Sequence, residues 1–250
     1  MTRIPVRTIA GERGVLAAVE QGAVAVIVDA LRASATLAAL LHAGAREILV
    51  TAEVETARRV AMENSGSVLV GERGGRKLPD FDYGNSPTEI LAHDLRGATA
   101  VFTSSNAAGR LVGAATAAAV LAGSTVNASA AARAAAGIAR GLAAGIIIVP
   151  VGSASRDFGV AFEDYVAAHM IASQLAALGA ELLTDPDEAW PEGRPARTDD
   201  WSDYPNGIKL AGLGYAADVE FCARVDVLGE VPRGAGVRRT GWGGEVLAMA

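Results

Sequence analysis

The chain alternates short unbroken apolar runs with segments of helical period. Ala23-Val24-Ala25-Val26-Ile27-Val28 is apolar without alternation, which predicts a strand buried on both faces. It breaks off at Asp29, Arg32, Ser34 and Thr36. Leu37, Leu40 and Leu41 then follow the i, i+3, i+4 spacing of a helix that Gly44 is placed to end. Ile48-Leu49-Val50 reads as a second strand, and a polar helix from about Glu53 to Glu63 completes a βαβ-like unit. Strands are further expected at Val68-Leu69-Val70, from Ala98 to Phe102, at Val120-Leu121-Ala122 and from Ile146 to Val149. An Ala-rich helix should follow Asn106, and others should run from Ala128 to Leu142 and from about Phe162 to Leu178. This alternation predicts an α/β fold: one mostly parallel sheet with helices on both faces, in a single domain over residues 1–250.

The pattern changes towards the end. Residues 184–207 are rich in Pro, Asp and Gly and read as a long loop or lid, anchored by Trp190 and Trp201. Ile208 to Tyr215 fits a short helix, and the basic, Gly-rich stretch 232–250 reads as a mobile C-terminal extension.

Polar residues cluster where strands end, which in open α/β sheets is the ligand-binding edge. Asp29, Glu72, Thr103, Ser124 and Gly152 are therefore expected near one another. Asp29 suits a metal ion, although Asp29 or Ser34 serves equally as a helix cap. Gly71 to Lys77 surrounds Glu72 with flexible glycines, Arg73, Arg76 and Lys77, a weak signal for an anion cradle. Asn85 or Ser86 is placed to cap a helix with Pro87 at its first position, and Asn127 to cap the helix from Ala128. Glu163 and Asp164 fall in the first turn of their helix, where acids meet the dipole; pointing about 100° apart, only one of them should face a site. No serine has a convincing histidine partner, and the glycines match neither the Walker nor the dinucleotide fingerprint.

Composition narrows the ligand. A net charge of −6 with 5% aromatic residues argues against a nucleic-acid surface. No apolar run reaches membrane-spanning length, and the single cysteine, Cys222, excludes an internal disulfide framework. A soluble cytoplasmic protein without a membrane partner is expected. Its cations are arginines except Lys77 and Lys209, so an anion must be caught locally.

Six stretches together carry a resemblance: VIVDALRASAT, GERGG with FDYGNSP, TSSN, GSTVNASA, FEDYVAA and LGYAADVEFCARVDVLGEVP, in order from Val26 to Pro232. The set resembles the 2-phosphosulfolactate phosphatase family, magnesium-dependent phosphatases of coenzyme M biosynthesis. The resemblance implies hydrolysis of (2R)-phosphosulfolactate, or a related small acidic phosphate monoester, with Mg²⁺ as cofactor. Asp29, Glu72 and Glu163 or Asp164 would then hold metal or activate water, and Arg32 and Arg73 would neutralise the anion. Ser34, Thr36, Gly74, Asn85, Thr103, Asn106, Ser124 and Asn127 would orient substrate. The family's fourth-strand loop reads closer to TTTNGT, whereas here Ala107 and Ala108 follow Asn106. Two alternatives stay open: a non-catalytic binder of an anionic metabolite, and an aspartyl-phosphate enzyme of haloacid-dehalogenase type. The latter carries a second aspartate two positions on, where this chain has Leu31. A homo-oligomer is compatible with all three.

Overall fold

The structure, a computed structural model, describes residues 3–152, 161–184, 198–199 and 201–250. Most of the expected lid, with Trp190, lies outside the described residues. Among the described residues no helix is long and apolar enough to cross a membrane.

Two sheets form in place of the single one expected. The first is all-parallel and contains β1 (Pro5–Thr8), β2 (Val24–Val28), β7 (Ala119–Ala122), β8 (Ile146–Pro150) and β9 (Glu181–Leu182), in the order β7-β2-β8-β1-β9. The second contains β3 (Glu47–Val50), β4 (Val68–Arg73), β5 (Arg76–Lys77), β6 (Thr99–Thr103), β10 (Gly234–Arg239) and β11 (Glu245–Met249), in the order β10-β11-β3-β6-β4-β5. Here β3, β6 and β4 are parallel, while β11 joins β3 and β5 joins β4 antiparallel. The expected βαβ unit is thus split. Its strands β2 and β3 lie in different sheets, because α2 (Ala33–His42) is apolar nearly all round and touches β7 of one sheet and β3 of the other.

The layers follow from which faces are apolar. α6 (Ala128–Leu142) and α7 (Phe162–Ala177) pack on the first sheet. α5 (Ala107–Gly113) touches β2 and β3 and lies with α2 between the sheets, beside α1 (Gly11–Glu20). On the second sheet Ile48, Val50 and Phe102 join the main core, whereas Leu49 and Val101 pack with Ala57 and Val60 of α3 (Val54–Glu63) on the outer face.

Three sequence readings need correction. Gly71 to Lys77 is mostly strand: β4 continues through Glu72 and Arg73 and turns back into β5 at Gly74-Gly75, whose φ values of +63° and +91° suit a two-residue hairpin. The stretch 232–250 is not a free tail but β10 and β11, since Val246, Leu247, Ala248 and Met249 are buried against the second sheet. The short helix near Ile208 begins earlier, as α8 (Pro205–Gly212), and is followed by α9 (Ala216–Cys222). Ser86 caps α4 (Pro87–Leu91) by accepting from Glu89 N, and Trp201 is buried.

Candidate active site

The carboxyl ends of strands from both sheets meet at one cavity of about 320 Å³. β2 delivers Asp29, Leu31 and Arg32; β8 delivers Gly152; β4 delivers Glu72 and the Gly74-Gly75 turn; the loop after β6 delivers Ser105 and Asn106. Asn85 enters from the segment before α4, Glu163 and Asp164 from the start of α7, and Asn206, Lys209 and Leu210 from α8.

Acidic groups dominate the wall, and each is held differently. Asp29 Oδ1 accepts from Ala33 N at 3.2 Å while Ser34 Oγ accepts from Asp29 N at 3.0 Å, so Asp29 does tie down the entry to α2 as a cap would. Burial nevertheless raises its carboxyl from 3.8 to about 7; the charges of Glu72 and Glu163 add to the rise, and the Ala33 amide and Arg32 oppose it. Asp164 takes the amides of Ala30 at 2.7 Å and Gly152 at 3.0 Å, clamping the ends of β2 and β8 together. Burial, then the charges of Asp29 and Glu163, push it up as well. Glu163 accepts from Asn206 Nδ2 at 2.6 Å and is raised by burial against that bond. Both Glu163 and Asp164 line the cavity, contrary to the expectation that only one would, because the cavity wraps round the end of α7 between the sheet edge and α8.

Glu72 is a brace between loops. Its Oε1 accepts from Ser105 N at 2.7 Å, and its Oε2 from Gly75 N at 2.6 Å and Ser105 Oγ at 3.1 Å. Gly74 N donates to Ser105 Oγ at 3.1 Å. The amides of the Gly-Gly turn are therefore engaged by the protein itself.

Arg32 and Lys209 are the cations lining the cavity among the described residues. Arg73 does not line it; its guanidinium donates to the carbonyl oxygens of Glu72 and Ala52 and to Thr103 Oγ1. Thr103 in turn donates to Ala52 O. Ser34 donates to Ile27 O, and Thr36 to Arg32 O. Asn127 Oδ1 accepts from Ser124 N while its Nδ2 donates to Glu230 O, fastening the turn before α6 to the C-terminal segment. Of the residues expected to gather, the structure brings Asp29, Arg32, Glu72, Gly74, Asn85, Asn106, Gly152, Glu163 and Asp164 to the cavity, and leaves Ser34, Thr36, Arg73, Thr103, Ser124 and Asn127 outside its lining.

Sequence reasoning missed Asn206 and Lys209 as site residues. Their i, i+3 spacing on one helix was the available signal, obscured by the polar segment before it.

Does this wall fit Mg²⁺? Among the described residues no group of three or more His, Cys, Asp or Glu side chains is arranged to hold a metal ion. Magnesium, however, keeps several waters and commonly takes only one or two carboxylates together with substrate phosphate oxygens. Asp29 and Glu163 offer hard oxygen donors in a wall whose carboxyls burial makes reluctant to ionise, which a cation would relieve. Asn85 and Asn106, both lining the cavity, each bury an Oδ1 without a hydrogen-bond partner. Buried polar atoms are normally satisfied, so these two point to a ligand. The residues present fit the ion.

Comparison with known proteins agrees with the fold and the wall. The sequence model of a family described as 2-phosphosulpholactate phosphatase matches residues 13–236. A Carboxydothermus hydrogenoformans protein named probable 2-phosphosulfolactate phosphatase is 36% identical over 213 residues, 84% of this chain and 85% of its own. A Deinococcus radiodurans protein of the same name is 36% identical over 212 residues, covering 84% and 86%. One from Thermus thermophilus, also so named, is 34% identical over 216 residues, covering 84% and 86%. With a family match over most of its length and relatives this similar, the chain belongs to the 2-phosphosulfolactate phosphatase family.

Proposed function

We propose that this protein hydrolyses the phosphate monoester of a small acidic compound, (2R)-phosphosulfolactate, to sulfolactate and inorganic phosphate. The observation that carries this reading is a small cavity lined by buried carboxylates, two cations and two asparagines whose buried Oδ1 atoms lack a hydrogen-bond partner. Such a volume suits a small molecule. Arg32 and Lys209 neutralise the substrate's negative charge, and the Nδ2 groups of Asn85 and Asn106 are the amide donors available to its oxygens, leaving their Oδ1 atoms to accept from a substrate hydroxyl or a metal-bound water. Burial holds the Asp29 carboxyl up, to about 7, in the metal-free protein; a bound cation would favour its ionised form, a carboxylate able to accept a proton from attacking water. Mg²⁺, held by Asp29 and Glu163, would polarise a phosphoryl oxygen. Lys209, not Arg73, joins Arg32 in the cavity lining, and we assign to it the charge neutralisation that the sequence reading gave Arg73. The free, buried Cys222 agrees with a reducing cytoplasm.

The test is direct. Purified protein given phosphosulfolactate and Mg²⁺ should release inorganic phosphate, and excess chelator should stop the release. Tight binding of phosphosulfolactate without phosphate release would make the chain a metabolite-binding protein, and full turnover in chelator would remove the metal from the mechanism.

A further inference from the structure

Arg32 lines the cavity although it is only 2% exposed, and its guanidinium is gripped on three sides. Nη1 donates to Asp218 Oδ2 at 2.6 Å, Nη2 donates to the carbonyl oxygen of Gly75 at 2.9 Å, and the Tyr215 ring centroid lies 4.0 Å from Cζ. Asp218, on α9, is 1% exposed and contributes nothing to the cavity wall. Its second oxygen is filled from the start of α4: Oδ1 accepts from Ser86 Oγ at 2.8 Å, from Thr88 N at 3.2 Å and from Thr88 Oγ1. The Gly75 peptide is held at its other end by Glu72, through its N–H. A continuous chain of bonds thus runs from Glu72 through Gly75 and Arg32 to Asp218 and the cap of α4.

We propose that Asp218 is the positioning residue for Arg32, fixing the guanidinium as the cavity's anion-binding fork. The physical need is competition. Four carboxylates, those of Asp29, Glu72, Glu163 and Asp164, line the same cavity, and an unanchored arginine would fold onto one of them and be lost to an incoming anion. No hydrogen bond joins Arg32 to Asp29, Glu163 or Asp164; it acts on Asp29 only through space. A guanidinium has five N–H donors in a rigid plane, and Asp218 and Gly75 take two, both from the Nη groups. The stacked Tyr215 ring fixes the plane. The remaining donors are held in register for the oxygens of a phosphate or sulfonate. Identifying the anion as a substrate phosphoryl rests on the phosphatase reading; the coupling of Asp218 to Arg32 does not.

The test is a double-mutant cycle on the full chain, read as inorganic phosphate affinity by calorimetry and, separately, as kcat and KM on phosphosulfolactate. Asp218→Asn keeps an oxygen for Ser86 and Thr88 but removes the charge that holds Arg32. It should weaken phosphate binding about tenfold or more, and Arg32→Ala at least as much. The double variant should bind no worse than Arg32→Ala alone, because Asp218 acts through the missing group. Independent, multiplying losses would overturn the proposal, as would a wild type with no phosphate affinity. If Asp218→Asn does not fold, Arg32→Ala with added methylguanidinium replaces it: saturable rescue is expected, since the Asp218 carboxylate still faces the vacated slot, and absence of rescue overturns the assignment. A wild type that binds phosphate but never hydrolyses the ester would sink the phosphatase reading while leaving this cycle interpretable.

Discussion

Asp29 shows how one side chain serves two readings of the same sequence. As a cap it needs only an oxygen for the Ala33 amide, which asparagine supplies equally well. As a site carboxylate it needs charge. Asp29→Asn should therefore fold with an unfolding midpoint no lower than wild type yet lose about 10²-fold or more in phosphate release; near-wild-type turnover would reduce Asp29 to a cap. The same residue predicts a pH trend for the metal-free protein. Its carboxyl releases its proton near the ordinary 3.8 when unfolded and near 7 when folded, so between those values the native state holds more protons. Stability from this group is complete below about pH 4 and falls as pH rises to about 7, by an amount on the order of a few kcal/mol. Thermal unfolding in chelator should show a lower midpoint at pH 8 than at pH 5. Asp29→Asn should flatten part of that slope, with Glu163 and Asp164, raised in the same direction, accounting for the rest.

At the scale of elements, the site depends on how closely β4 approaches β6. The pair runs parallel with Gly71 opposite Thr103, which brings Glu72 beside the loop containing Ser105. A Cβ on Gly71 would lie 2.4 Å from the Thr103 carbonyl oxygen, a contact that backbone cannot yield to without moving. Gly71→Ala should push the strands apart, cost about 1–3 kcal/mol, and reduce turnover by breaking the Glu72 brace. Gly109 in α5 is the matched control: a Cβ there meets nothing within 4 Å, and Gly109→Ala should be neutral or stabilising by about 0.5–1 kcal/mol. Calorimetric midpoints and phosphate release would check both; a Gly71→Ala protein with unaltered midpoint and rate would contradict the close-approach argument.

For the whole molecule, the decisive feature is that one core serves both sheets. Ile27 and Val149 of the first sheet and Val50, Phe102 and Met249 of the second belong to the same buried cluster, bridged by α2. β11 covers the side of β3 that β6 leaves open, and the segment before it is stitched to the first sheet where Ala122 N donates to Pro232 O. Removing residues 232–250 should therefore expose a β3 edge, lower the unfolding midpoint by about 6–12 °C (roughly 3 kcal/mol at about 2–4 °C per kcal/mol for a chain of this size) and promote aggregation. Scattering and thermal melts would show it, and a truncated chain that melts like wild type would restore the mobile-tail reading of this segment.

The sequence by itself determined the α/β class, the strands from Val24 to Val28 and Ile146 to Val149, and the helices from Ala128 and Phe162, because uninterrupted apolar runs and helical periodicity are local properties of the chain. It also picked out Asp29, Arg32, Glu72, Glu163 and Asp164, each next to a strand end or helix start where polar groups must be deliberate. It did not reveal β1, whose Pro5-Val6-Arg7-Thr8 is too short and polar to stand out and becomes a strand through pairing with β8 and β9. It could not divide the strands between two sheets, since that depends on α2 lying between them. Only the tertiary structure turned Arg73 away onto carbonyl oxygens, brought Lys209 and Asn206 to the wall, and set Asp218 behind Arg32 from 186 residues along the chain. Contacts of that sequence separation leave no local pattern; the physical cause is packing of a shared core, which fixes distant side chains against one another only after the elements have assembled.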